Sequence, residues 1–361
     1  MKSNREIFRT VSVLIFFIIN VQLFSSCSFK PEPEPLPLSV RSALNLLQEN
    51  PQFVMYLNFN NLRRTEFWKK NISDSMVNAE KTFGSLLNTF KTATGASVSE
   101  GIDELFYSNS WFGENTIVLK GIFDKNKLNS FLSTDSLFSI AKHKNGADIY
   151  IKNDNGLYFY FRDDFTICAS NYLKQIDIMM ETNDTSKAGL LLNEKVFEAI
   201  NNIIYKQDLW MVSTEKVFIK GIFQNFMEST TGKELSEQDT VDKSGSGDKK
   251  DSLQSNENIT IENLYKRLNS VSFSADMDKE LKFLIQGECI NEESSKYLRS
   301  VVNGLVTIAK LSNTGKQKDP SSRILNKIKL NRYENSVFVE MNIDETILKE
   351  LKKSNLLTGP E

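Results

Sequence analysis

The side chains best suited to chemistry are few, and they lie far apart in the chain. His143 is the one histidine among 361 residues, and it lies in a polar turn beside Lys144, so we expect it to be exposed. No cysteine or second histidine stands at a metal-ligand spacing from it. A lone imidazole supports neither a metal centre nor a histidine-based acid–base pair. We therefore predict that the protein holds no metal and no cofactor.

Two cysteines lie in apolar stretches that are typical of buried strands. Cys168 follows Thr166 and Ile167, and Cys289 ends a stretch of alternating apolar residues. A disulfide between the two cysteines and a pair of buried free thiols are both compatible with this pattern. No histidine lies near either cysteine in the sequence to activate a thiolate, so we do not expect a cysteine nucleophile.

Two pairs of neighbouring carboxylates, Asp103-Glu104 and Asp163-Asp164, are candidates for acid–base catalysis. A glycosidase of that type needs two carboxyl groups that face each other across a cleft. Neighbours on a strand point to opposite faces, however, and Asp163-Asp164 has the composition of a tight turn. The chain also lacks the GxSxG, Walker, dinucleotide-binding and HExxH motifs. We expect no catalytic site, and a hydrolase that uses Ser and Lys or carboxylates is the enzyme class left open.

Aromatic residues offer two further interpretations. Trp68, Trp111 and Trp210 are candidates for stacking on a sugar, but each lies next to an apolar residue, and we predict that they pack in the core. The 25 phenylalanines are more than two cores of this size commonly need. They indicate an alternative function, a carrier of an apolar ligand in a Phe-rich cavity that opens to solvent.

The chain begins with a basic segment, an apolar segment and a cysteine, in that order. Three basic residues lie within the first nine positions, an uncharged stretch runs from Val11 to Phe24, and two serines precede Cys27. This arrangement resembles the signal peptide and lipobox of bacterial lipoproteins. The resemblance implies removal of residues 1–26, acyl chains on Cys27, and attachment to the outer membrane with the body facing the periplasm or the cell surface. An ordinary secretory signal and a retained membrane anchor are the alternatives.

Changes in composition divide the remaining chain into four segments. Residues 27–50 include four prolines at alternate positions, which favour an extended tether. Residues 229–260 are rich in Ser, Asp, Lys and Gly and lack aromatic residues, so we predict a disordered linker. The segments 51–228 and 261–361 are predicted to be folded domains.

Both folded segments show hydrophobic patterns in the order strand, strand, helix. Residues 271–277 alternate as a strand does, and the apolar spacing after Asn291 predicts a helix that this side chain caps. We expect Ile324–Leu330 and Ser336–Ile343 to form a hairpin. These patterns predict the α+β class, with two antiparallel-sheet domains of strand-strand-helix units and helices layered on one face.

The charge balance argues against a nucleic-acid partner. Lys+Arg total 44 and Asp+Glu total 46, which gives a formal net charge of −2 and no basic excess for binding phosphates. The partners that we expect are the membrane, through the anchor at Cys27, and another envelope protein. The layout of the body resembles that of uncharacterised envelope lipoproteins, which implies no activity. The function that fits best is a non-catalytic binding or scaffold module of the cell envelope.

Overall fold

The structure is a computed structural model that describes most of the chain from residue 30 onward. The described residues are 30–71, 85–98, 100–154, 156–183, 187–221, 224, 261–312 and 320–353. The predicted signal peptide over residues 1–26, the predicted linker over residues 229–260 and Cys27 lie outside them. The chain divides into two compact units, Met1–Glu32 and Pro33–Glu361, and every helix and strand given below belongs to the second. In the described residues, no helix combines the length and the apolar character that crossing a membrane requires.

Within the described residues, twelve strands form one antiparallel sheet. In chain order the strands are β1 (Phe53–Asn58), β2 (Ile102–Asn109), β3 (Asn115–Gly121), β4 (Phe138–Lys142), β5 (Asp148–Lys152), β6 (Leu157–Phe161), β7 (Thr166–Ser170), β8 (Leu209–Ser213), β9 (Leu268–Met277), β10 (Leu281–Cys289), β11 (Lys329–Tyr333) and β12 (Ser336–Ile343). Across the sheet they follow the order β11-β12-β10-β9-β8-β1-β2-β3-β7-β6-β5-β4. The outermost strands, β11 and β4, are each five residues long.

Strands β8 and β9 join the two folded segments. β8 pairs with β1 on one side and with β9 on the other, so that Met211 lies opposite both Met55 and Phe273. The α+β class is confirmed, but the strands of the two segments form one sheet where the sequence predicted two antiparallel-sheet domains. Hydrophobic alternation cannot reveal this pairing, because it reports which face a side chain takes and not which strand lies alongside.

Helices connect the strands and cover the sheet. They are α1 (Leu38–Leu44), α2 (Phe59–Arg64), α3 (Glu66–Asn71), α4 (Ser85–Thr94), α5 (Lys125–Thr134), α6 (Leu173–Glu181), α7 (Glu194–Asn201), α8 (Ile261–Lys266), α9 (Glu292–Ser312), α10 (Pro320–Lys327) and α11 (Glu345–Lys353), with a 3-10 helix at Gly189–Leu192. The predicted cap of α9 is confirmed, since Asn291 Oδ1 accepts a hydrogen bond from the backbone N–H of Ser294 (2.8 Å). This bond satisfies an N–H group that the first helical turn leaves unpaired.

Helices pack on both faces of the part of the sheet formed by β1 to β7. On one face, α1, α6 and α7 share a core with Phe106 and Val118, and on the other, α2, α4 and α5 share one with Leu105 and Leu119. The sequence predicted helices on one face only. These strands carry apolar side chains at consecutive positions, and in β7 all five residues are buried, so both faces need a cover.

The remaining part of the sheet is covered by the long helix α9 and by α10 and α11. Gly287 in β10 allows α9 to approach closely, because a Cβ there would lie only 2.8 Å from Leu298 Cδ2. The prediction of Ile324–Leu330 as a strand is wrong, since β11 begins only at Lys329, after helix α10. Pro320 opens that helix at the position where its fixed φ and missing N–H are tolerated.

The chain joins the folded body earlier than the sequence predicted. A tether was expected over residues 27–50, but helix α1 and the residues after it belong to the core, and Val40, Leu44 and Leu47 are buried. These three residues recur at helical spacing and form an apolar stripe, which the neighbouring prolines obscured. The extended segment therefore ends at Pro37, immediately before α1.

Candidate functional site

His143 is buried, and the expectation that it is exposed is wrong. Its side chain is 5% exposed, and its Nε2 lies 3.4 Å from Asp177 Oδ1. On the other side of the ring, Nδ1 accepts a hydrogen bond from the backbone N–H of Asn145 (3.4 Å). Both ring nitrogens therefore have structural contacts at the end of β4. Within the part of the chain that the structure describes, no three His, Cys, Asp or Glu side chains are placed to hold a metal ion.

Cys168 and Cys289 are free thiols, which decides between the two alternatives left open by the sequence. Both side chains are buried, and burial raises the pKa of each thiol to about 12. Each thiol is therefore protonated at neutral pH, and a protonated thiol is not a nucleophile. Cys27, the predicted site of acylation, lies outside the described residues.

The first carboxylate pair does not form a catalytic dyad. Asp103 forms an ion pair with Arg63 (2.6 Å). Glu104 accepts a hydrogen bond from the hydroxyl of Tyr56 (2.7 Å) and lies 3.6 Å from Lys120 Nζ. Each carboxylate thus has its own partners, and the two do not face each other across a substrate-sized gap.

The second pair forms the tight turn that the sequence predicts. Asp163 Oδ1 accepts a hydrogen bond from the backbone N–H of Phe165 (2.7 Å), which closes the turn between β6 and β7. Asp164 forms an exposed ion pair with Lys125 (2.5 Å). Both carboxylates therefore have structural contacts at this turn.

Most of the phenylalanines whose side chains the structure describes are buried or half-buried. Phe106 and Phe159 are fully buried, and Phe159 stacks on Tyr150 with the ring centroids 5.1 Å apart. Two clefts in the described part of the chain, of about 290 Å³ and 490 Å³, have one phenylalanine, Phe165, among their lining residues. Neither cleft is the Phe-rich cavity that a carrier of an apolar ligand requires.

The central strands present two opposite ends, and different features lie at each. We call the end marked by Asn58 and Gly121 the tether end, where Asn58 N–H donates to the carbonyl oxygen of Asp208 just before β8 (2.8 Å). We call the end marked by Asn109 and Ser213 the tip end.

At the tether end, a buried lysine holds the extended segment against the body. Lys206 is 5% exposed, and its Nζ donates hydrogen bonds to the carbonyl oxygens of Glu34 (2.5 Å) and Asn201. The neighbouring Gln207 Nε2 donates to Glu34 Oε2 (2.9 Å). Burial lowers the pKa of Lys206 to about 8, and the Glu34 carboxylate opposes that shift. We call this contact the Glu34 clamp.

The extended segment runs across the ends of four strands. Five residues lead from Glu34, beside β8, to Ser39, whose carbonyl oxygen accepts a hydrogen bond from Lys120 Nζ of β3 (2.6 Å). Residues 35–37 of this stretch are extended, and Leu38 and Ser39 belong to the first turn of α1. The chain is therefore held to the body beside β8 at Glu34 and at the end of β3 at Ser39.

At the tip end, large apolar side chains are exposed. Trp111 and Phe112 lie in the turn between β2 and β3, and Phe112 is 91% exposed. Asn171 Nδ2 donates a hydrogen bond to the carbonyl oxygen of Gly113 (2.9 Å), and Trp111 Nε1 donates one to Glu215 Oε2 (3.4 Å), so two further loops lie against this turn. The tip surface consists of the exposed residues Trp111, Phe112, Tyr172, Leu173 and Val217.

The sequence did not predict this surface. Core packing is confirmed for the buried Trp210 and the half-buried Trp68, but it is wrong for Trp111, which is 48% exposed. A signal was present, because two aromatic residues directly precede Gly113, whose φ of +75° marks a turn. Turns usually carry polar residues, and aromatic side chains at such a position are unusual.

The fold defines an α+β protein built on one antiparallel sheet. Among solved structures, the chain is similar to crystal form I of TP0453, with 8% sequence identity, a TM-score of 0.43, and coverage of 90% of this chain and 99% of that chain. Crystal form III of TP0453 gives 8% identity, a TM-score of 0.42 and coverage of 86% and 97%. This likeness concerns the fold alone. No protein-family model and no curated protein matches the chain.

Proposed function

We propose that this protein is a bacterial outer-membrane lipoprotein, anchored through acyl chains on Cys27, and that its folded body is a non-catalytic module that binds another envelope protein. The resemblance of residues 1–27 to a lipoprotein signal supports the anchor. A non-catalytic body is supported by the contacts of His143, Asp103 and Glu104, since each of these groups already has a structural partner.

One observation carries the proposal: the tether and the exposed side chains of Trp111 and Phe112 lie at opposite ends of the same strands. Glu34 is held at the tether end by Lys206, whereas Trp111 and Phe112 form the turn at the tip end. Strand β2 connects the two ends and has eight residues, so it is about 26 Å long. On this arrangement the tip surface is directed away from the anchoring membrane and toward other molecules of the envelope.

A protein partner suits the tip surface better than a small apolar ligand does. Sites for small molecules are concave, whereas Phe112 projects from a turn with 91% of its side chain exposed. Aromatic side chains dominate the binding energy of many protein interfaces. Burying the exposed parts of Trp111 and Phe112 in a cleft of the partner would contribute about 2–4 kcal/mol, before the costs of association.

The test of the binding surface compares two variants of the full-length tagged protein after mild crosslinking in cells. Trp111→Ser combined with Phe112→Ser removes the tip surface, and Ile140→Ser, at an exposed position of the edge strand β4, is the matched control. We expect a crosslinked partner to be recovered with the wild type and the control and to be lost with the tip variant. Equal recovery with all three proteins would contradict the proposed surface, and lipid but no protein in the purified material would favour the carrier.

The anchor is tested separately. Cys27→Ala should release the protein from membranes, and mass spectrometry of the mature wild-type protein should show an acylated N-terminal cysteine. An unmodified residue 27, or a Cys27→Ala protein that stays on membranes as tightly as the wild type, would rule out the lipoprotein anchor.

A further inference from the structure

A second group of exposed apolar side chains lies at the tether end. Leu38, Ile122 and Phe165 are 82%, 70% and 63% exposed. The backbone N–H of Gly121 donates a hydrogen bond to the carbonyl oxygen of Phe165 (2.9 Å), so Ile122 and Phe165 lie on neighbouring strand ends. Leu38 precedes Ser39, which is bound by Lys120 of the same strand β3. We call these three side chains the tether-end patch.

The length of the tether limits how far this patch can lie from the anchor. Six residues separate Cys27 from Glu34, and a chain of that length spans at most about 25 Å. The Glu34 clamp fixes the end of this span at the tether end. The free length of the tether therefore ends at Glu34 and does not include residues 35–37. The tether end is therefore the end of the body that an acylated Cys27 holds near the bilayer.

We infer that the tether-end patch contacts the lipid surface to which Cys27 is anchored, with Leu38, Ile122 and Phe165 entering the headgroup region of that bilayer. The inference rests on the proposed anchor. Three side chains would be too few to bring a soluble protein onto a membrane, but a short tether converts this contact into an intramolecular one at high effective concentration. The contact sets the orientation of the body and directs the tip surface away from the membrane.

The charges around the patch indicate an apolar contact with no electrostatic contribution. Lys125 is paired with Asp164 and Lys120 with Glu104, so the lysines beside the patch are already neutralised by carboxylates. A protein that binds anionic lipids through electrostatics presents an excess of unpaired basic residues instead. We therefore expect the contact to be insensitive to anionic lipid and to salt.

The experiment uses the full-length acylated protein in vesicles of phosphatidylcholine, with and without phosphatidylglycerol. An environment-sensitive fluorophore is attached to Ile122→Cys, and Phe112→Cys at the tip end is the matched control. The buried thiols of Cys168 and Cys289 are not expected to compete for the label. We expect the fluorophore at position 122 to shift to the blue and to be quenched by quencher-bearing lipids, while the fluorophore at position 112 reports water. Both lipid compositions should give the same result.

A second variant tests whether the other two side chains of the patch are needed for the contact, in case the label alone causes the fluorophore to enter the bilayer. Leu38→Ser combined with Phe165→Ser, in the Ile122→Cys background, should reduce the quenching several-fold without loss of the anchor, because both side chains are exposed and their removal leaves the core intact. Water-like signals at position 122 from a protein that sediments with the vesicles and carries an acylated Cys27 would overturn this inference alone. An unmodified Cys27 and a protein left in the supernatant would overturn the proposed function.

Discussion

Replacing Lys206 by Met tests the Glu34 clamp through its dependence on pH. Lys206 is almost fully buried, and burial lowers its pKa from 10.5 to about 8. Between these two values the unfolded chain binds more protons at this residue than the folded protein does. The free energy of unfolding that Lys206 contributes must therefore rise with pH in this window, because the protonated amine is disfavoured in the folded state. Met has a similar length and volume and does not titrate.

The size of the effect follows from the two pKa values. A difference of about 2.5 in pKa changes the free energy of unfolding by about 3.4 kcal/mol between a pH at which Lys206 is fully protonated in both states and one at which it is fully deprotonated in both. From pH 7 to pH 9.5 only part of the titration of the unfolded chain is covered, and linkage then gives about 1–2 kcal/mol. The neutral amine still donates to the carbonyl oxygens of Glu34 and Asn201, so the clamp stays closed over this range.

The assay is urea unfolding of the wild type and of Lys206→Met at pH 7 and at pH 9.5, followed by tryptophan fluorescence, to which the buried Trp210 contributes. We expect the wild type to gain about 1–2 kcal/mol relative to the variant at the higher pH. The exposed Lys279→Met serves as the control for the loss of one lysine. A difference between wild type and Lys206→Met that is equal at both pH values would refute the argument that burial governs this lysine.

Three further predictions concern the body. Gly189→Ala should lower the free energy of unfolding by about 2–4 kcal/mol in a urea titration. The reason is that Gly189 has a φ of +48° and that an added Cβ would collide with the carbonyl oxygens of Asn45 and Leu47. A loss below about 0.5 kcal/mol would contradict this packing. Cys168 should react with a thiol reagent at neutral pH only after unfolding, since burial raises its pKa to about 12, and rapid labelling of the native protein would show that it is accessible. Burial also raises the pKa of Asp208, so its carboxylate is disfavoured in the folded state. The stability of the wild type relative to Asp208→Asn should therefore fall as the pH rises from 4 to 7. A difference in thermal stability that stays constant over this range would contradict the prediction.

The class of the fold and most strands could be predicted from the sequence, because local patterns determine them. The turn at Asp163-Asp164 and the cap at Asn291 depend on neighbouring residues, and both are confirmed. The pairing of β8 with β9 depends on residues far apart in the chain, so alternation left it undetermined. Helices on both faces were missed for a different reason, since one layer of helices was expected to cover all the apolar stripes, whereas strands such as β7 are buried on both faces.

The candidate surfaces were harder to predict, because they depend on exposure. Trp111 lies next to an apolar residue in the sequence, as the buried Trp210 does. It is accessible because it lies in the turn beyond the end of β2. Leu38 follows prolines that indicated a tether, and for that reason helix α1 was not predicted. The Glu34 clamp could not be predicted at all, since Lys206 is 172 residues away in the chain and its burial is a property of the folded protein.

The two outermost strands of the sheet have a consequence for contacts between copies of the protein that the proposed anchor would hold on one leaflet. β4 and β11 are each five residues long, and they include the charged residues Lys142, Lys329 and Arg332. Proteins confined to a membrane leaflet collide often, and a long uncharged strand at an edge would let neighbouring copies add to each other's sheets. Short, charged edges disfavour such growth. With the proposed anchor, many copies could share a leaflet without joining their sheets edge to edge.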